Sequence, residues 1–301
     1  MFIINHRKIF FLISGLLVLG AAAALVTYGL KLGTDFTGGT IMEVEYREAR
    51  PELVLIKSQI DALALGQVSL QTIGERSILL RLRTITEDEH QTLGQTLGGL
   101  EKRYSSIGPA VGEELARKGI IAVIIVVGLI ILYIAFVFRH ARPTGSSGRI
   151  SKPVNSWKYG LIAILALIHD IAIPTGLMAL LGRFYGVEAD ALFLTALLTI
   201  LGLSVNDTIV VFDRIRENLK QQTGEKFDEV VGRSLNETIV RSINTSFTVI
   251  LALLAIYFFG GASTKYFALV MAVGMFVGTY SSIFIASPLL VSWQKWGERV
   301  K

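Results

Sequence analysis

The chain has 301 residues, 52% of them apolar and 18% charged, with a formal net charge of +5 and no cysteine. Soluble domains carry about a quarter charged residues, so this composition excludes an ordinary soluble enzyme. The missing cysteines exclude disulfides, thiolate metal sites and cysteine nucleophiles, and no cofactor or metal is expected.

Of the 24 acids, 13 fall between residues 31 and 118, and only Asp170 and Asp207 interrupt long apolar stretches. A hydrocarbon core of about 30 Å needs roughly 20 apolar residues as a helix. Six stretches fit: 9–30, 119–138, 159–182, 191–212, 241–261 and 267–293. The fifth has only 247–259 as purely apolar sequence, so its helix must begin earlier and take in Arg241, Asn244, Thr245 and Ser246. The first is longer than the apolar core of a secretory signal and reads as a retained anchor.

Lysine and arginine set the orientation. The tail 1–8 carries two, the segment 139–158 five without an acid, the segment 213–241 six and the tail from 294 three. Both termini are therefore expected in the cytoplasm, which makes the basic residues topology signals rather than a nucleic-acid footprint. The expected division is 1–30 for the N-terminus and first span, 31–118 for an exported domain and 119–301 for a five-helix membrane domain.

Within the exported segment, Met42, Val44 and Tyr46 alternate with Glu43, Glu45 and Arg47, the period of a half-buried strand. Residues 52–65 have helical spacing, 68–73 and 77–84 read as strands about a turn at Gly74, 87–103 as a second helix, and 104–107 as a last short strand. The order βαββαβ suggests a small ferredoxin-like α+β unit. Ahead of it stands GTDFTGGT, residues 33–40. Gly38 and Gly39 there permit either a tight turn of positive φ or the close approach of another backbone, with Asp35 between them and the first span.

A carboxylate at the bilayer centre costs on the order of 2.5–3.5 kcal/mol. Asp207 lies five residues before Phe212, at a depth similar to that of Arg241 entering the fifth span, which makes a contact between them plausible. Thr195, Thr199, Gly202 and Asn206 form one stripe of the fourth helix, and Arg241, Thr245 and Thr248, with Asn244 beside them, form another on the fifth. Such stripes avoid lipid; they pack as small-residue surfaces with a structural ion pair, or they line an ion or proton route. A desolvated carboxyl favours its protonated form and a nearby guanidinium the ionised one, and alternation between the two makes a proton carrier. Asp170, beside His169, reads equally as a hydrogen-bonded structural carboxyl or a second relay. Pro174 and Gly176 permit a bend in the third helix, Gly274 and Gly278 form a GxxxG packing surface in the sixth, and DRIREN, 213–218, reads as a solvated helix end.

GTDFTGGT after the first span, LIHD in the third, VNDTIVVFDRIREN leaving the fourth and RSINTS entering the fifth together resemble the SecF family of bacterial protein-export membrane subunits, within the SecD/SecF group of the resistance–nodulation–division superfamily. The resemblance covers nearly the whole chain, including the one-plus-five arrangement of spans. It implies a multi-pass subunit of the bacterial cytoplasmic (inner) membrane that is not an enzyme. It implies a SecD partner with six more spans, the SecYEG channel, other accessory membrane proteins of the translocase and the translocating polypeptide as partners. Proton movement would drive the exported domains, although some relatives use sodium. The family's membrane carboxylate falls on Asp207 and its partnered arginine on Arg241. Three alternatives stand beside this: an intramembrane aspartyl protease using Asp170 and Asp207, an exporter of lipid or small hydrophobic molecules, and a structural assembly factor.

Overall fold

The structure, a computed structural model, describes residues 2–139, 156–221 and 225–299. Most of the basic segment 139–158 therefore lies outside the described residues. In chain order the elements are α1 (Phe2–Asn5), α2 (Arg7–Tyr28), α3 (Thr34–Thr37), β1 (Gly39–Glu45), α4 (Leu53–Asp61), β2 (Ser69–Ile73), β3 (Ser77–Leu82), α5 (Glu87–Leu97), β4 (Leu100–Ile107), α6 (Pro109–Arg139), α7 (Ser156–Tyr185), α8 (Ala191–Gln221), α9 (Phe227–Phe259), α10 (Ala262–Ser281) and α11 (Ser287–Arg299). A π-helical turn, Ser282–Ala286, joins the last two into one rod. Two compact units result. One comprises Met1–Leu30, Val123–Val187 and Leu192–Lys301; the other comprises Lys31–Ala122 and, unanticipated from sequence, Glu188–Ala191.

Six helices of the described residues are long and apolar enough to cross a membrane: Arg7–Tyr28, Pro109–Val137, Trp157–Tyr185, Ala191–Gln221, Phe227–Phe259 and Ser263–Trp296. They occupy the six expected stretches and overrun them at one end or both, although the first stops at Tyr28 and the fifth at Phe259, each two residues short. The segment 213–241 is mostly the C-terminal turns of α8 and the N-terminal turns of α9 rather than a loop. Arg214 bonds Glu237 and Glu217, each at 2.6 Å, and Asn218 donates to Ser234 and Glu237 at 2.9 and 2.7 Å. Asn218 is buried, so DRIREN is less solvated than its charge suggests. Below these pairs Phe212, Ile215, Val231, Leu235, Ile283 and Leu290 close a core around Tyr159 and Ile162 of α7. Pro174 sits inside α7 without ending it. Gly176 serves packing, since a Cβ there would stand 2.4 Å from Ala21 Cα of α2.

The small unit has a four-stranded sheet of order β2-β3-β1-β4, every neighbour antiparallel. That is the ferredoxin-like order. Met42 and Val44 of β1 face Ile78, Leu80 and Leu82 of β3, and Ile56, Ile60, Leu93 and Leu97 of the two helices cover the same face. One expectation fails: the second helix stops at Leu97, not at 103, and the last strand begins at Leu100. Gly98 takes a left-handed conformation that caps the helix, its N–H bonded to Gly94 O. At Gly99 a Cβ would lie 2.3 Å from Val44 Cγ1, so the chain must turn there to pair with β1. At the other end of α5, Thr86 and Glu89 form a reciprocal capping box. Arg83 grips Glu89 at 2.5 and 3.1 Å, and that guanidinium holds the Glu89 carboxyl down at about 2.

Candidate ion-translocation site

The site is built on α7, α8, α9 and α10. GxxxG places α10 directly against α8: a Cβ on Gly274 would strike Ile200 Cδ1 at 2.2 Å, and one on Gly278 would meet Ser204 Cβ at 3.1 Å. This closeness brings short hydroxyl side chains within reach of Asp170, which is completely buried. Asp170 Oδ2 accepts hydrogen bonds from Ser204 Oγ and, at 2.7 Å, from Ser281 Oγ. Its Oδ1 lies 2.8 Å from His169 Nδ1. Thr208 and Ser282 bond at 2.9 Å, and Ser246 pairs with Thr279. The π turn extends the set, because Ser287 Oγ donates to Ser282 O at 3.1 Å, five residues back. A buried carboxyl with three partners, shared by three helices, satisfies its acceptor sites and fixes their register.

Asp207, three residues after Ser204 on α8, is placed differently. Its Oδ1 accepts from Ser242 Oγ of α9 at 2.6 Å, while its Oδ2 is buried with no hydrogen-bond partner among the described residues. The carboxyl lines a cavity of about 40 Å³ with Ser204, Asn206, Thr245, Ser246 and Thr279. Such a volume has room for about three or four water molecules at roughly 10–15 Å³ each. One oxygen of Asp207 is thus left without a partner among the described residues beside that space, while Ser242 holds the other.

The structure corrects the expected contact with Arg241. The next residue, Ser242, reaches Asp207 instead. One residue is about 100° of helix rotation, and Arg241 stands exposed without an ion pair among the described residues. Asn206 and Thr245 join Asp207 at the cavity, whereas Asn244 is exposed and does not line it. The stripes behave alike: Thr195, Gly202, Asn206, Arg241, Asn244, Thr245 and Thr248 are exposed and Thr199 half-buried. Ser204, Ser242, Thr279 and Ser281 were not singled out from the sequence, and Ser246 only as part of the fifth helix. The only signal was hydroxyls recurring inside apolar spans.

Asp170 and Asp207 engage different partners and share no hydrogen bond, unlike the proton-sharing pair an aspartyl protease requires. In the small unit, Gly38 and Gly39 have φ of +74° and +136° and also meet backbone closely. Cβ atoms there would lie 2.7 Å from Pro109 Cα and 2.8 Å from Leu82 O. Asp35 Oδ2 accepts from Ala191 N at 2.9 Å.

Comparison with known proteins finds the family described as "Protein export membrane protein SecD/SecF, C-terminal" over residues 89–149 and 154–296, and the "SecD/SecF GG Motif" over 23–49. The protein translocase subunit SecF of Thermobaculum terrenum is 41% identical over 97% of this chain and 93% of that protein. The protein translocase subunit SecDF of Thermus thermophilus is 37% identical over 92% of this chain and 37% of its own. The crystal structure of SecDF from Thermus thermophilus, a translocon-associated membrane protein, matches with a TM-score of 0.82 and 34% identity, over 97% of this chain. The chain spans 38% of that SecDF chain. SecDF in a super-membrane-facing form matches with a TM-score of 0.67 at 34% identity, covering 98% of this chain and 39% of that one. Matched over more than half its length by the family profile and over nearly all of it by SecF relatives, the chain belongs to the SecD/SecF family of protein export membrane proteins.

Proposed function

We propose that the chain is the SecF-type accessory subunit of the Sec protein-export machinery, working with SecD and drawing on proton movement through the Asp207 cavity to promote translocation. One observation carries the proton step: a carboxyl oxygen without a partner among the described residues, beside space for water at the face that α8 and α9 leave exposed. Hydroxyl and amide groups lining the cavity stabilise that water, and Ser242 orients the carboxyl.

The exposed polar stripes of α8 and α9 support a second helical bundle at that face, because threonine, asparagine and arginine are costly against lipid. SecD fits as that bundle, since relatives join both halves in one SecDF chain. Arg241, exposed at the same depth as Asp207, is available to groups that such a bundle would bring. Basic residues on one side of the spans support cytoplasmic termini, a multi-pass position in the bacterial cytoplasmic membrane and an exported small unit. The SecYEG channel and the emerging polypeptide are the further proposed partners.

The test is proton flux and export stimulation in membrane vesicles holding the chain with SecD. Asp207→Asn is expected to leave insertion and assembly intact and to abolish both signals. Undiminished gradient-dependent export in that variant would refute the proton step.

A further inference from the structure

The segment that links the first span to the sheet is bound to the residues before α8 by more than a passing loop needs. Ala189 N donates to Lys31 O at 2.7 Å and Gly33 N to Ala189 O at 2.8 Å, which sets Leu32 opposite Ala189 as a one-residue parallel bridge. Asp35 Oδ2 accepts from the N–H of Ala191, the first residue of α8. Glu188, its side chain 11% exposed, bridges Lys31 Nζ and Arg81 Nε of β3 at 3.1 Å each. A Cβ on Gly33 would press on Ala189 O and Asp190 Cβ, both at 3.3 Å. At the other end of the segment, a Cβ on Gly112 of α6 would lie 2.6 Å from Gly38 N. Backbone meets backbone at both ends, with no flexible side chain between to yield.

We infer that residues 31–39 form a rigid coupling joint, a clasp that fixes the starts of α8 and α6 to the sheet so that displacement of the helix carrying Asp207 moves the small domain. The helix α8 is unbroken from Ala191 to Asp207, sixteen residues or about 24 Å, so what holds Ala191 holds one end of the rod. The sheet is gripped as directly, since β1 begins at Gly39 and pairs on both sides. Glycine-rich linkers ordinarily behave as flexible coils that would absorb such motion; here three of the glycines are pinned. Asp35 and Glu188 are positioning residues that never touch the moving ion. The inference rests on the proposed role of Asp207 for its driving force.

A cysteine-free chain permits a direct test in vesicles with SecD. Paired strands run about 4.8 Å apart, within the span of a disulfide, so Leu32→Cys with Ala189→Cys can lock the clasp. Oxidation of that pair is expected to leave export stimulation intact. Asp35→Ala with Glu188→Gln, which removes the side-chain bonds of the clasp and leaves only its backbone pair, is expected to cut stimulation roughly tenfold while Asp207-dependent proton flux and copurification with SecD persist. Asp35→Asn, which keeps a carbonyl acceptor, is expected to retain stimulation. If the open variant fails to assemble, Lys31→Gln with Arg81→Gln opens the ion-pair side instead and must give the same split. Export blocked by oxidation and restored by reduction overturns the inference, as does full stimulation in the open variants, loss of flux together with export, or failure of Asp35→Asn. Should the unmodified complex show no Asp207-dependent flux while the locked and open forms still behave as expected, the proton reading fails and the clasp stands.

Discussion

Asp170 bonds two serine hydroxyls and the His169 ring and is fully buried, whereas Asp207 receives a single serine and faces a cavity. Removing Asp170 leaves Ser204 and the His169 ring without that partner, each costing about 1–3 kcal/mol, while Ser281 keeps Gly278 O as an acceptor. Asp170→Ala should therefore destabilise the chain by about 3–5 kcal/mol in detergent thermal unfolding, and Asp170→Asn, which keeps an acceptor, by clearly less; equal losses would remove its cross-linking role. At Asp207 a double-mutant cycle distinguishes neighbours. Asp207→Asn with Ser242→Ala should show a coupling of roughly 1–2 kcal/mol. Asp207→Asn with Arg241→Gln should be additive within about 0.5 kcal/mol in the chain alone. Both acids were legible because a carboxylate in an apolar run is conspicuous. Ser242 was not, since a hydroxyl satisfied within its own helix leaves the same mark on the sequence as one that reaches across.

Helices and strands followed their periodicity wherever one face was apolar, and departed from it at glycine and at charge. The helix expected over 87–103 broke at Gly98 and Gly99, because the contact of Gly99 with Val44 is long-range and invisible to a local pattern. The segment 213–241, counted from the sequence only for its basic residues, is largely helical because Arg214, Asn218, Ser234 and Glu237 satisfy one another across α8 and α9. The start of α5 carries a pH prediction with a definite sign. The folded-state Glu89 carboxyl titrates at about 2, below the roughly 4.3 of an unfolded glutamate. Ionised Glu89 therefore favours the folded state above that unfolded value, and the contribution is lost as pH falls toward 2. Amide protection of α5 should drop between about pH 4.3 and 2, and the drop should shrink in Arg83→Gln; a pH-independent protection in the unmodified chain would contradict it.

At the scale of the molecule the sequence read the six spans, and the structure adds which faces they leave uncovered. The helices α7 and the α10–α11 rod are the most buried spans, whereas α2, α6 and α9 are mostly exposed. Within the apolar stretches of α2 and α6 the exposed residues are mostly aliphatic or aromatic, with Gly15, Gly20 and Thr27 of α2 among them, which suits lipid. On α8 and α9 they include glycine, threonine, asparagine and arginine at helical spacing, which suits another helix. A stripe read in one dimension cannot say whether it turns toward its own bundle or a partner's; only the packing of α8 against α10 through the opposite side decides it. Gly202 separates the two cases. A Cβ there meets nothing within 4 Å, so Gly202→Leu should not strain the chain and should gain about 0.8–1 kcal/mol of helix propensity. Against a close-packed partner the same leucine would intrude by several atoms, as small-residue surfaces tolerate no such bulk. Gly202→Leu is accordingly expected to keep or raise the melting temperature of the chain alone and to abolish its copurification with SecD, while Leu132→Phe on the lipid-type face of α6 leaves both unchanged. Undisturbed copurification of the Gly202 variant would place the partner on another face and leave the polar stripe to be covered by something else.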